Sequence, residues 1–280
     1  MSAKSKISWT DATWNPVVGC TKISAGCKEC YAKALHDLRY KARLAGKRLP
    51  MQYALPFETV QLMPERLDMP LHWRKGRRVF VNSMSDLFHP DVPFDFIDKV
   101  FWTIENAPQH TFQILTKRAA QMLVWCQQRG KPLPVNAWLG VTVENQEAAD
   151  SQIPYLIKTG AAVKFLSCEP LLEKVDLQLR GRNYGGHNEF VTWVICGGES
   201  GPRARPMYAG WARYLLHQCQ EAGVPFYFKQ WGEWCQDLQP QIKDATGKAF
   251  YRWPDGSGSL RVGVQKSGHL LDGDEWRQLP

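Results

Sequence analysis

Cys20, Cys27 and Cys30 fall within eleven residues, in the run Gly19-Cys20-Thr21-Lys22-Ile23-Ser24-Ala25-Gly26-Cys27-Lys28-Glu29-Cys30-Tyr31, at the spacing C-x6-C-x2-C. Three thiolates on one short loop can face one point in space, and packing rarely needs such an arrangement. Thiolates select soft ions: zinc, copper(I) or iron–sulfur clusters. A structural zinc closes its shell with four ligands. Here the fourth is not local, and His36 and His89 are the nearest histidines in sequence. A [4Fe–4S] cluster on three cysteines keeps one iron open for a substrate or cofactor, as enzymes that cleave S-adenosylmethionine into radicals require. Buried thiols with no metal are the plain alternative.

A second set of groups recurs in one phase. Asp86, Lys117, Glu144, Glu169, Glu199 and Lys229 each stand at the end of a short apolar run. Singly, each could be a helix cap or a solvated loop charge. Parallel α/β sheets and barrels place their sites at the carboxyl ends of strands. Six polar groups in that phase outline one cavity.

The elements that must position these groups alternate. Runs rich in β-branched and aromatic residues, ending near Trp14, Asn82, Leu115, Val143, Leu166, Cys196 and Phe228, are expected strands. Longer amphipathic segments between them are expected helices, giving β-α units around a parallel sheet. The helix after Cys30 is expected over residues 32–45, with Ala32, Leu35, Leu38 and Ala42 on one face. Residues 47–75 look irregular, 173–190 break the rhythm as an insertion, and 233–280 look like a small hairpin or cap. The expected architecture is a partial (β/α) barrel of six to seven parallel strands over residues 1–232, with a C-terminal extension, 233–280, packing on it.

The chain of 280 residues can bury a full core, and its 44% hydrophobic and 22% charged residues are ordinary for a globular protein. No stretch resembles a signal peptide, and no apolar run approaches the ~18 residues of a membrane span. A cytoplasmic protein with no membrane partner is therefore expected. Eight cysteines are too few for a disulfide scaffold of this length. The net charge of +8 is uneven: residues 1–80 hold 15 Lys and Arg against 6 Asp and Glu, and the rest are almost balanced. Two basic runs contain aromatics: Arg39-Tyr40-Lys41-Ala42-Arg43 through Lys47-Arg48, and His72-Trp73-Arg74-Lys75-Gly76-Arg77-Arg78. Such interleaving suits a DNA or RNA backbone, and equally a solvated face.

The run T-W-N-P-V-V-G-C-T-K-I-S-A-G-C-K-E-C-Y-A resembles the signature of the phage- and bacterium-associated three-cysteine-motif proteins. The later L-T-K-R, G-V-T-V-E-N, S-C-E-P-L, C-G-G-E-S-G and F-K-Q-W-G segments are similar to that family in the same order, as are R-V-G, L-L-D-G and Trp276 in the tail. The family is regarded as similar to radical S-adenosylmethionine enzymes, whose usual spacing is C-x3-C-x2-C; the first gap here is six. The resemblance implies a [4Fe–4S] cluster on Cys20, Cys27 and Cys30, its open iron chelating S-adenosylmethionine, and an external electron donor. It implies cofactor contacts from Tyr31, Ser83 and Asp86, from Glu144 and Asn145 on the ribose, and from Ser167. Gly197-Gly198-Glu199 is similar to the glycine-glycine-glutamate motif that binds the methionine amino group, although that motif usually follows the second strand and here follows the sixth. Lys117, Glu169 and Lys229 are the expected catalytic groups, and Arg203 and Arg205 could meet a phosphate or carboxylate. Cys168 and Cys196 are expected as buried thiols, with a metal role as the alternative; Cys126, Cys219 and Cys235 carry no assigned role. The implied substrate is a nucleic acid base or nucleotide, in DNA modification or repair. A zinc-stabilised nucleic-acid-binding protein without catalysis, and a radical enzyme acting on a peptide or small metabolite, are the alternatives.

Overall fold

The structure is a computed structural model that describes residues 5, 7–179, 190–236 and 249–280. The strands are β1 (Ala12–Trp14), β2 (Val17–Val18), β3 (Gln61–Leu62), β4 (Arg78–Val81), β5 (Thr111–Thr116), β6 (Ala137–Thr142), β7 (Val163–Cys168), β8 (Trp193–Gly197), β9 (Phe226–Gln230), β10 (Trp234–Gln236), β11 (Phe250–Arg252), β12 (Gly258–Arg261), β13 (Leu270–Leu271) and β14 (Asp274–Glu275). The helices are α1 (Tyr31–Leu44), α2 (Phe94–Glu105), α3 (Ala119–Gln128), α4 (Gln146–Ile157), α5 (Ala209–Ala222) and the single turn α6 (Val264–Ser267). Seven strands follow the order β1-β4-β5-β6-β7-β8-β9. Each new strand adds on the same side as the last. That is the winding of a (β/α) barrel; a doubly wound sheet reverses direction. No pairing joins β1 to β9 among the described residues, so the barrel is partial.

By compactness the chain divides into two units, residues 1–141 with 152–164, and residues 142–151 with 165–280. In the first, β1 pairs in parallel with β4, β4 with β5, and β5 with β6. Val79, Val81, Phe112, Ile114, Leu139 and Val141 are buried in these strands, as are Ile97, Val100, Phe101 and Ile104 of α2. Near-continuous apolar strands are what a parallel sheet with covered faces requires.

Helix α1 departs from expectation. Ala32 and His36 are its buried residues, whereas Leu35 and Leu38 are 37% and 68% exposed. The reason is the irregular segment beyond the helix. The His36 ring packs 5.2 Å from Tyr53 and 5.4 Å from Phe57, and its Nε2 meets the Gln52 carbonyl. Arg39 donates to the Tyr53 hydroxyl, and Arg43 to the Leu49 carbonyl. The helix therefore docks through a polar and aromatic face, and its leucines point outward.

In the second unit β7, β8 and β9 pair in parallel. Strand β7 runs to Cys168 and β9 to Gln230, each two residues beyond its expected end, so Ser167 and Lys229 are strand residues. Cys168 and Cys196 are register partners on β7 and β8 and, with Cys219 of α5, fully buried. Burial pushes the Cys168 and Cys196 thiols well up, and Cys219 to about 12, so these cysteines stay protonated and pack as small apolar groups. The extension holds β10, β12 and β11 in a small antiparallel sheet. Its last residues bond onto β9: Phe228 N donates to the Trp276 carbonyl at 2.7 Å, and Gln278 N to the Phe226 carbonyl at 3.2 Å. This covers the open edge of the last strand, which would otherwise template association. Part of the expected insertion, residues 180–189, lies outside the described residues, as do 237–248 of the extension. Among the described residues no helix is long and apolar enough to cross a membrane.

Candidate active site

The cysteine loop begins where β1 and β2 run out. Gly19 N donates to the Met84 carbonyl at 3.1 Å and Cys20 N to the Phe57 carbonyl at 2.9 Å. Gly19 has φ +94°, and a Cβ there would stand 2.2 Å from the Thr59 carbonyl oxygen and 2.9 Å from that of Phe57. Only glycine passes between those backbones. The loop then makes a 3-10 turn, Ala25–Cys27, and Lys22 Nζ closes it on the Lys28 carbonyl at 3.1 Å. Cys30 is the cap residue of α1, and its carbonyl accepts from Ala34 N at 3.0 Å. Cys20 and Cys30 pack on one small cluster of Ala32, Phe57 and Met84. Cys27 lies 3.4 Å from the Ser24 hydroxyl. All three thiols are free and partly exposed.

Among the described residues no three Cys, His, Asp or Glu side chains converge closely enough to hold a metal ion. A tetrahedral zinc, with Zn–S of about 2.3 Å, would draw its sulfurs to about 3.8 Å from one another. A four-iron cluster takes one thiolate per iron and needs no such convergence. Neither of the two histidines nearest in sequence is open as a fourth zinc ligand. His36 is buried under Phe57 and bonded to Gln52. His89 Nδ1 accepts from Asp91 N at 3.1 Å, and its Nε2 meets the Thr21 hydroxyl at 2.8 Å. Three thiols outside any disulfide, on one anchored loop, are the ligand type that a three-cysteine cluster uses.

Asp86 follows β4 and is 5% exposed. Both its oxygens are occupied: Oδ1 by Phe88 N (3.0 Å) and Thr116 Oγ1 (2.7 Å), Oδ2 by Lys117 N (3.2 Å) and Arg118 Nη1 (2.9 Å). The carboxylate thus organises the carboxyl ends of β4 and β5, with its acceptor sites filled by protein. Lys117 is held here through its backbone. Tyr31, half exposed, donates its hydroxyl to the Ser83 carbonyl at 2.8 Å, joining the start of α1 to the end of β4. Asn15 Oδ1 accepts from the Ser83 hydroxyl at 3.2 Å and from Met84 N at 3.1 Å.

Residue type and spacing gave Arg118, Thr21 and Asn15 no role, and pointed to His89 only as a remote metal ligand. Arg118 Nη1 is 3.6 Å from Cys20 Sγ, and its Nη2 donates to the carbonyl and hydroxyl oxygens of Thr21, each at 3.1 Å. The L-T-K-R run at a strand end was the available signal, with Arg118 directly after Lys117. Burial and nearby Asp86 push the Cys20 thiol up to about 11, with Arg118 acting in the opposite direction.

The second unit gathers its own strand-end groups. Glu169, after β7, accepts from Lys229 Nζ of β9 at 2.5 Å, both side chains being about one-fifth exposed. Gly197 lies beneath Glu169, where a Cβ would come within 3.3 Å of its carboxyl carbon. Gly198 lies against β9's end: a Cβ there would meet the Trp231 carbonyl oxygen at 2.0 Å. Gly198 is thus required by close backbone approach, whereas a Cβ at Gly197 would only press on the Glu169 side chain. Glu199, 5% exposed, accepts three bonds from Arg205: N and Nε on Oε2, both at 2.8 Å, and Nη2 on Oε1 at 2.5 Å. Arg205 therefore meets a carboxylate of its own chain. Glu144 is buried and its carbonyl accepts from Leu172 N at 2.9 Å, while Asn145 Oδ1 caps α4 through Ala148 N at 2.9 Å. Ser167 is buried within β7, and its carbonyl accepts from Val143 N at 2.9 Å.

Comparison with known proteins follows the fold. A solved structure of a cysteine-to-serine mutant of spore photoproduct lyase is similar, with a TM-score of 0.50 and 10% identity, over 98% of this chain and 74% of that one. Spore photoproduct lyase complexed with dinucleoside spore photoproduct is similar over the same shares, with a TM-score of 0.49 and 10% identity. Among curated proteins none is significantly similar in sequence. A family model matches residues 4–280 from end to end, and the chain belongs to that family, described as protein of unknown function (DUF5131).

Proposed function

We propose that this protein is a radical S-adenosylmethionine enzyme that acts on a base or nucleotide of nucleic acid. The observation that carries this reading is the cysteine loop: three partly exposed thiols outside any disulfide, anchored at the carboxyl end of β4, with the two histidines nearest in sequence, His36 and His89, bonded to other groups. The partial (β/α) barrel shared with spore photoproduct lyase supports it at the level of fold. Cys20, Cys27 and Cys30 would hold a [4Fe–4S] cluster, and the chemistry it would supply is one-electron reductive cleavage of S-adenosylmethionine to methionine and a 5′-deoxyadenosyl radical able to take a hydrogen atom from substrate.

The chain's own residues would bind, orient and shield. Tyr31 closes the loop against Ser83 and offers an exposed ring for the adenine. Asp86 acts through the residues it holds, since its acceptor sites are taken. Glu199 supports the 199–205 turn through Arg205. Of the expected catalytic groups, Glu169 and Lys229 form a partly exposed acid–ammonium pair able to hold or pass a proton at Glu169 Oε1, and Lys117 stands at the end of β5. Gly197 and Gly198 let the chain approach Glu169 and Trp231 closely. Glu144, Asn145 and Ser167 keep the packing and capping roles described above, with ribose contact through the Asn145 amide nitrogen. Nucleic acid as substrate is supported by the basic first 80 residues, where exposed Lys28, Lys41, Lys47 and Arg48 have no carboxylate partner among the described residues. The reductant is an external electron donor.

The test is anaerobic. Protein reconstituted with iron and sulfide is given dithionite and S-adenosylmethionine, and 5′-deoxyadenosine is measured. Product formation that Cys27→Ala abolishes is the expected result. Tightly held zinc, no cluster and no product in protein purified without air would overturn the reading.

A further inference from the structure

Arg118 is placed as no ordinary surface arginine is. Its side chain is 9% exposed and that of Asp86, its partner, 7%. Taking a guanidinium out of water is costly, and pairing with Asp86 offsets that cost only in part. Asp86 already has three other donors, so the carboxylate alone does not account for the arginine. The remaining contacts all lie on the cysteine loop: Nη1 at 3.6 Å from Cys20 Sγ, and Nη2 on both oxygens of Thr21. The two arms of one planar fork thus reach the sulfur of one residue and the backbone of the next. A lysine, with a single point of charge, could not span both.

We infer that Arg118 is a positioning residue for the iron–sulfur site: it clamps the Cys20 end of the loop to the end of β5 and holds a positive charge against the first ligand sulfur. The inference rests on the radical-enzyme reading for its redox consequence, and on geometry alone for the clamp. A donor and a positive charge beside a ligand sulfur favour the reduced, more negative cluster, and so raise its midpoint potential.

The experiment uses the full chain, anaerobically reconstituted, as wild type, Arg118→Gln and Arg118→Lys. Iron and sulfide per chain are assayed, the midpoint potential is followed by electron paramagnetic resonance, and backbone hydrogen exchange is measured over residues 19–23. Arg118→Gln is expected to load cluster, to show a more negative midpoint, and to exchange its loop amides about tenfold faster. Arg118→Lys is expected to restore the midpoint in part, because charge returns, but not the protection, because the fork does not. Full loading with unchanged midpoint and exchange would overturn the inference. If the wild type itself takes up no iron, the radical-enzyme reading fails; exchange in that same protein still decides the clamp, faster loop exchange supporting it and unchanged exchange refuting it.

Discussion

At the scale of single residues, the site is a set of hydrogen-bonded polar groups around three thiols that form no disulfide. His89 illustrates how this creates a pH dependence. Because Asp91 N donates to Nδ1, the ring proton sits on Nε2, which donates to Thr21. Burial, followed by the charge of Arg118, holds the imidazole below its usual range, against the smaller pull of Asp91 and Asp86. A histidine neutral in the fold and protonated at about 6.5 when unfolded contributes stability that is present above that value and is lost as pH falls through the lower folded value. The thermal midpoint should therefore fall between pH 7.5 and 5.5 in the wild type and fall less in His89→Gln. A histidine proton titration by NMR should place the wild-type ring below about 6.5. Identical pH slopes in the two proteins would show that His89 does not titrate with folding. Residue types singled out Asp86 and Glu199 as acidic groups at strand ends. They did not reveal that Arg118 and Arg205 saturate them, since a partner's identity depends on approach in space.

At the scale of elements, the loop's position depends on close backbone contact more than on any side chain. Gly19→Ala would need a positive φ and would drive a Cβ into the Thr59 carbonyl. It should cost about 2–4 kcal/mol, combining backbone strain with overpacking. Gly46→Ala, also at positive φ (+84°) but with open space around it, should cost only about 1 kcal/mol. Urea unfolding of the two variants, with iron uptake, makes the comparison; equal losses would mean that the crowding at Gly19 is relieved elsewhere. Helix α1 teaches the limit of periodicity at this scale. Its apolar positions were legible, but an amphipathic pattern says which residues share a stripe and not whether anything covers it. His36 won the inward face because the chain returns through Tyr53 and Phe57, beyond the reach of a local pattern.

At the scale of the molecule, the charge is carried by the first 80 residues but not concentrated beside the cysteines. The Arg74–Arg77 run leads into the amino end of β4, whereas the loop joins its carboxyl end. Lys47 and Arg48 follow the far end of α1, about 20 Å along the helix from Cys30. If these cations track a nucleic acid backbone, single-strand affinity should fall roughly 50-fold from about 50 to about 200 mM salt for about four phosphates contacted. Lys47→Glu with Arg48→Glu should flatten that slope in an anisotropy titration with an oligonucleotide. Salt-independent binding, or none, would count against a nucleic acid substrate. By itself the sequence determined the succession of strands and helices, the polar group at each strand end and the C-x6-C-x2-C loop, because each is written in neighbouring residues. Tertiary structure alone decided which stripe of α1 is buried, that β7 and β9 extend through Ser167 and Lys229, and that Arg118 reaches Cys20 across 98 positions of chain. Those outcomes depend on which strands lie side by side, and strand order is a property of the whole sheet that no short stretch of residues contains.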